Sequence, residues 1–515
     1  MKHRINSRSL TGGILFVISA LLLLALGWFL WWKYTSPAAL AKILPAKETL
    51  LFVELHPGSS GSKWETLQKN FAGKDPTKLF ELDSLGITES QKLWSLARNR
   101  IGVAFLGEAL DTQRFVLVMD SENPAAVLDY LRSQSFLSER LKTEKYFGEE
   151  IFTYPNSHSF AFAFRDGELI LAANLPDLKR VIATNHEKNI AVAATPGYRA
   201  AISKLNPRGL GFGYFSPGFV NQLIAARLNG MENALATPLL NLWQSGGFNL
   251  TANESGIKFS THFILKDEYA RNPLFATSSK FNPAILELLN AEVEKFWLVE
   301  NGKAQLAHFL SATTKINPNF EVLARGSSLG VIQKWLGNEV TLEDLQPFFT
   351  ATSVVGVTKG GGFLGIFPKT NTNSLQQKIL QGKGLISAEE KLIALPDTTP
   401  GRILTPTTPT ASVENLNGYS VAKLKFPQHE LDFVDTEEFT IITSDNALLT
   451  KILAGFEAGE TGLRGLLTES NFSKGNLYYT RLPETTIPLL QPFHFTLLNL
   501  QTAEDDISLD ILFGK

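Results

Sequence analysis

A chain of 515 residues has room for more than one domain, each with its own core. Its 44% hydrophobic and 19% charged content places it among folded proteins, and a formal charge of −2 with no basic block excludes a phosphate-gripping nucleic-acid binder. The lack of cysteine removes thiol nucleophiles, cysteine–zinc sites, iron–sulfur clusters and disulfides together, and suits an extracytoplasmic body.

In chain order, a short tail over residues 1–11 precedes an uncharged run from Gly12 to Trp32. As a helix this run reaches roughly 31 Å, the thickness of a bilayer's hydrocarbon core, so a transmembrane helix is expected over 12–33. Trp28, Trp31, Trp32 and Tyr34 fall where an aromatic belt meets headgroups. The rival is a cleaved signal peptide, for which Ala39-Leu40-Ala41 offers a small-x-small site. Lys2, Arg4 and Arg8 before the span balance Lys33, Lys42 and Lys47 after it; His3 and the amino terminus tip the tail toward the cytoplasm.

Residues 34–44 read as a tether. A strand is expected at 49–55 (TLLFVEL), helices at 62–71 and 89–97, and paired strands at 101–106 and 114–119. Pro124 opens a helix to about Gln134. Three strands follow at 151–154, 159–164 and 168–173, with Asp166-Gly167 as a hairpin turn. Helices at 176–184 and 196–204 lead to a strand at 209–215, a helix over 218–235, and closing strands at 247–252 and 256–265.

The second half repeats this grammar. Phe162–Ile182 matches Phe433–Leu453 at a step close to 271 residues, Ile101–Met119 resembles Val354–Phe367, Tyr214 corresponds to Tyr478, and the closing hairpin is answered over 493–513. The expected fold is α+β: one N-terminal transmembrane helix, then two diverged copies of a largely antiparallel sheet-plus-helices unit, at 45–265 and 283–515, joined by a linker at 266–282. The Thr/Pro-rich stretch 395–418 is expected as a mobile loop in the second copy.

No chemistry-bearing constellation emerges. Gly360–Gly365 spells GxGxxG but continues into a strand, whereas a dinucleotide loop must open a helix. Ser60–Lys63 (SxxK) and Ser444-Asp445-Asn446 (SDN) lack the third penicillin-recognising motif, and the latter suits a helix cap. The eight histidines have no metal-ligand spacing, and acidic pairs such as Glu149/Glu150 sit in or beside turns. Sequons at Asn249, Asn253 and Asn471 carry weight only in a eukaryotic host. No catalytic, cofactor-binding or metal-binding residue is assigned, and no cofactor is expected.

Leu44-Pro45-Ala46, Tyr146–Phe152, Ala161-Phe162-Ala163, Asp166-Gly167, Leu178–Ile182 and Pro196–Ile202 together resemble a bacterial envelope family catalogued as domain of unknown function 3352. The resemblance implies a membrane-tethered, extracytoplasmic body and supplies no activity. The leading expectation is a non-catalytic binding or structural component of the cell envelope, held by residues 12–32, with an envelope protein, glycan or lipid as partner and no nucleic acid. An envelope hydrolase with a dispersed site, or an apolar-ligand or lipid carrier, is the alternative.

Overall fold

The computed structural model describes residues 39–56, 96–107, 114–121, 123–133, 141–153, 160–184, 190–205, 209–225, 242–254, 256–270, 277–289, 292–316, 336–382, 388–394, 399–427, 429–454, 474–481, 495–503 and 506–514, with isolated residues between them. The expected span at 12–33 and most of the helices at 62–71 and 89–97 lie outside the described residues; Thr66, Asn70 and Leu93, which are described, are helical. Among the described residues no helix is long and apolar enough to cross a membrane.

The chain divides into two compact units. Unit 1 draws on Met1–Ala270, Glu484–His494 and Asp505–Lys515, and unit 2 on Arg271–Pro483 and Phe495–Glu504. Unit 1 contains β1 (Thr49–Leu55), β2 (Ala97–Leu106), β3 (Phe115–Ser121), β4 (Lys142–Tyr146), β5 (Glu149–Thr153), β6 (Ala161–Arg165), β7 (Glu168–Ala172), β8 (Gly211–Phe215), β9 (Trp243–Asn253) and β10 (Gly256–Leu265). Unit 2 contains β11 (Val293–Val299), β12 (Ser353–Thr358), β13 (Phe363–Pro368), β14 (Ala388–Ala394), β15 (Pro400–Pro406), β16 (Thr410–Leu416), β17 (Tyr419–Lys425), β18 (Glu430–Asp435), β19 (Phe439–Thr443), β20 (Asn476–Arg481) and β21 (Phe495–Thr502). The chain closes on β22 (Asp506–Gly514).

In unit 1 the strands pair in the order β4-β5-β6-β7-β3-β2-β1-β8-β9-β10-β22, every ladder antiparallel. Unit 2 has the order β16-β17-β18-β19-β13-β12-β11-β20-β21, again antiparallel throughout, with β14–β15 as a separate hairpin. The nine strands of the unit 2 order match the first nine of unit 1, β4 to β9; β10 and β22 extend unit 1 beyond them. Register agrees as well: Phe162 faces Leu171 and Phe433 faces Ile442, a step of 271 residues. Phe52 lies between Ala104 and Tyr214, and Phe296 between Gly356 and Tyr479. The partner of Tyr214 in this scheme is therefore Tyr479, one residue beyond the expected Tyr478.

One face of the unit 1 sheet is closed by the helices Leu175–Ala183 and Pro196–Lys204 and by a short helix, Ala39–Ile43. Leu178, Val181, Ile182, Tyr198 and Ala201 pack there against Phe52, Ala104, Val118, Ile170 and Phe212. Asn174 caps the first of these helices, its side-chain oxygen accepting from the Asp177 amide at 2.8 Å. Asp445, 271 residues on, does the same for Leu448 at 3.0 Å at the head of Asn446–Ala454.

Three expectations need correction. The tether expected over 34–44 includes structured chain: Leu40, Ala41 and Leu44 are each 0% exposed in the unit 1 core. The boundary expected at 283–515 fails at its far end, because β22 joins the unit 1 sheet beside β10. The stretch 395–418 is not an irregular loop, since β15 and β16 occupy most of it. Its threonines are β-branched and strand-forming, and its prolines lie at the two ends of β15 (Pro400, Pro406) or in the connections beside it (Pro396, Pro409), outside any strand interior. Asn417-Gly418, with φ of 54° and 87°, then turns the chain into β17. Sequence reading also passes over β4, whose KTEKY is exposed and carries no apolar alternation.

Candidate functional site

A group of buried ionisable side chains lies inside unit 1. β1 is buried along its whole length, so both its faces are covered. Strand alternation sends Phe52, Glu54 and His56 to the face under the helices. Glu54 is 0% exposed, His56 1%, and Arg100 of β2 3%. Glu54 Oε1 lies 3.5 Å from His56 Nε2 and 3.9 Å from Arg100 Nη1. Arg100 Nη2 reaches across β3 to pair with the Glu168 carboxylate at the start of β7.

Local backbone prepares this arrangement. The β2–β3 register shifts between Ala97 and Ile101, and the Arg100 amide donates instead to Asp120 Oδ1 at 2.6 Å. The Leu40 amide, near the start of the Ala39–Ile43 helix, donates to Glu54 Oε2 at 3.3 Å, giving a carboxylate to a helix N-terminus. Gly102 lies opposite Glu54, and a Cβ there would meet Leu40 Cδ2 at 2.4 Å, so glycine lets the helix settle onto the sheet. Tyr198 closes the group from above. Burial, and then the Glu54 carboxylate, push its phenol above the ordinary tyrosine range.

The same register positions in unit 2 carry Leu298 for Glu54, Thr352 for Arg100 and Phe439 for Glu168. The charge network is thus particular to unit 1 and not a requirement of the fold. Chemically it holds carboxylates against a guanidinium and an imidazole away from bulk water, which selects one packing arrangement over others.

A second, more accessible group lies beyond the C-terminal end of the Pro196–Lys204 helix. On β9, β10 and β22, alternation places Asn249, Ser260, His262, Asp506, Ser508 and Asp510 on the helix-side face. His262 Nδ1 is 2.7 Å from Asp506 Oδ2, Lys204 Nζ is 3.9 Å from Asp506 Oδ1, and Lys258 Nζ is 3.1 Å from Asp510 Oδ2. Ser508 faces His262 in register. Serine, histidine and aspartate so share one sheet face, but a serine hydroxyl stays near the sheet while the far ring nitrogen stands above it. The opposite face of the same strands is apolar and buried, with Ile257, Phe259, Leu509 and Ile511.

In unit 2, Asp432 of β18 is 1% exposed and lies across from Lys423 of β17. Lys423 Nζ is 2.7 Å from Glu414 Oε2 and 3.4 Å from Glu430 Oε1. Burial pushes the Asp432 carboxyl up to about 6; Lys423 opposes this, and Glu430 and Glu414 add to it. A raised carboxyl pKa means the folded state holds the proton more tightly than the unfolded chain. The resulting stabilisation is present below the unfolded value near 3.8 and is lost as pH rises through about 6. Asp432→Asn is therefore expected to raise the unfolding free energy of unit 2 at neutral pH, read by urea denaturation, by an amount on the order of 1–3 kcal/mol, and to flatten the fall in stability across that window. An unchanged pH slope would count against the assignment.

The motifs singled out by spacing resolve into structure. Gly360–Gly362 form the β12–β13 turn, with Gly361 at φ 78° and the Thr358 amide donating to the Gly362 carbonyl at 2.9 Å. Ser444 Oγ accepts from the Phe363 amide at 2.7 Å, so the glycine loop and the SDN triplet meet as strand-end hydrogen bonds. Ser60–Lys63 lies outside the described residues. Among the described residues no three His, Asp or Glu side chains are grouped to hold a metal ion. Sequence reading misses both unit 1 groups, because their members are far apart in the chain. A charged residue within the apolar run of β1 is the one signal available for Glu54.

Residues 97–300 match the family model described as protein of unknown function (DUF3352). No curated protein matches the chain. Among solved structures, crystal form I of TP0453 is similar at 12% identity and a TM-score of 0.24, over 49% of this chain and 82% of that one. Crystal form IV of TP0453 is similar at 13% identity and a TM-score of 0.28, over 47% and 86%.

Proposed function

We propose that this chain, which over residues 97–300 belongs to the family described as protein of unknown function (DUF3352), is a membrane-anchored, non-catalytic binding or structural component of the bacterial cell envelope. In this reading the apolar run 12–32 is retained as the anchor, the tail is cytoplasmic, and the body, two diverged copies of one α+β unit, stands outside. Its partner is an envelope protein, a glycan or a lipid. The observation that supports the reading is the burial of Leu40, Ala41 and Leu44. Cleavage after Ala41 would sever Leu40 and Ala41 from the core they fill. Only residues 33–38 separate the apolar run from that core, about 20 Å at full extension, so the body is held against the membrane face.

Mass spectrometry of the membrane fraction, with protease protection in spheroplasts, tests this. The expected result is an N-terminal peptide that includes residues 1–11 and a body digested from outside. A mature chain beginning at Lys42 in the soluble fraction would overturn it.

The His262–Asp506 pair carries a second reading, an envelope hydrolase, in which the imidazole is the general base and Ser508, on the same sheet face, is not the nucleophile. Assay of the detergent-solubilised chain against ester, phosphate and glycan substrates separates the two. Turnover abolished by His262→Ala supports the hydrolase, and uniform inactivity removes it.

A further inference from the structure

We infer that β16 is an open sheet edge to which the β16 of a second copy of this chain adds, antiparallel and centred on Val413. Among the described residues the one strand partner of β16 is β17, and residues 410–415 are all exposed. The outer side of β16 thus presents a row of amide and carbonyl groups, which is a template for another strand.

The sequence of the edge says which strand fits. β16 reads TASVENL, with Glu414 its one charge and that charge engaged by Lys423 at 2.7 Å. Antiparallel pairing about Val413 sets Val413 on Val413, Ser412 on Glu414, Ala411 on Asn415 and Thr410 on Leu416. No like charges oppose, and a 73%-exposed valine finds an apolar partner at the two-fold axis.

Unit 1 supplies an internal contrast. Its edge at the same place in the strand order is β4, KTEKY, guarded by Lys142, Glu144 and Lys145. Centred self-pairing there would set Glu144 on Glu144, the like-charge opposition that keeps natural edges apart. Unit 2 lacks that guard.

The neighbouring chain points the same way. Three residues separate β15 from β16, and the β14–β15 hairpin exposes Leu392 (73%), Ile403 (47%) and Leu404 (52%). Register places Leu392 and Leu404 on one face of a two-stranded ribbon, a structure only marginally stable in water by itself. Large exposed apolar side chains gathered in one stretch mark an interaction surface.

The chain contains no cysteine, so a single Val413→Cys reports on itself. In the full-length protein in detergent, mild oxidation is expected to give a disulfide-linked dimer, because residues at a two-fold axis of paired strands lie within disulfide reach. Glu144→Cys on β4 is expected to stay monomeric. Sedimentation should show concentration-dependent association that Val413→Lys weakens about tenfold or more and Val413→Thr preserves. Hydrogen exchange at 410–416 should slow as concentration rises. A chain that stays monomeric at its highest attainable concentration would overturn the inference. So would protection of 410–416 that is independent of concentration, which would place another segment of the same chain on the edge.

Discussion

Arg100→Ala is expected to cost unit 1 about 3–5 kcal/mol, the loss typical when one partner is removed from a buried ion network. Arg100 is 3% exposed and serves two carboxylates, Glu54 at 0% exposure and Glu168 on the far side of β3. Its removal leaves Glu54 desolvated beside His56 with no guanidinium, and the gap cannot fill with water without opening the helix layer. The Asp120 contact survives, since it uses the Arg100 backbone amide. Urea denaturation followed by tryptophan fluorescence reads the loss. A loss of unfolding free energy below about 1 kcal/mol, the size of a surface ion pair, would show that the network does not hold the unit together.

The second unit indicates how the loss is reversed. Replacing Glu54, Arg100 and Glu168 together with the Leu, Thr and Phe found at Leu298, Thr352 and Phe439 removes every uncompensated charge. The triple variant is therefore expected to be more stable than Arg100→Ala alone, despite two further substitutions. Buried ion networks exchanged whole for apolar side chains are often neutral or better, whereas networks only half dismantled are not. This non-additivity separates an electrostatic role from simple volume loss, which would make the triple variant the worse of the two.

Much of this architecture is legible in the chain. Turn chemistry marks Asp166-Gly167, and short runs of apolar, β-favouring residues mark β6, β7 and their counterparts β18 and β19. The 271-residue step in sequence reappears as a shared register between β6–β7 and β18–β19. What escapes has physical reasons. β4 and β16 are edge strands exposed on both faces, so neither carries the apolar alternation by which half-buried strands are recognised. The destination of β22 is invisible locally, because a strand's sequence records the faces it buries and not the neighbour it pairs with. The Glu54 network escapes for a related cause: its members come from β1, β2 and β7, and only the sheet order brings them together. The Ala39–Ile43 helix is hidden by its neighbours, since a five-residue segment just after a long apolar run is too short to show a helical period and reads as a tether.

Leu40→Ala tests that helix, with an expected loss of about 2–5 kcal/mol. The side chain is 0% exposed, and its Cδ2 occupies the space left by the missing Cβ of Gly102. Truncation to alanine opens a cavity between helix and sheet that β1 and β2, hydrogen-bonded on both sides, cannot collapse to fill. Gly102→Ala is expected to act from the opposite direction, forcing Leu40 outward and drawing its amide away from Glu54 Oε2. The two changes share one contact, so their combination should cost less than the sum, alanine at 102 filling some of the space that alanine at 40 vacates. A disposable tether would show none of this: both single variants would melt with the parent, and limited proteolysis would clip between 39 and 44 as readily as in any exposed linker. Loss of stability with coupling between positions 40 and 102 would instead mean that residues 39–44 are an integral part of the unit 1 fold.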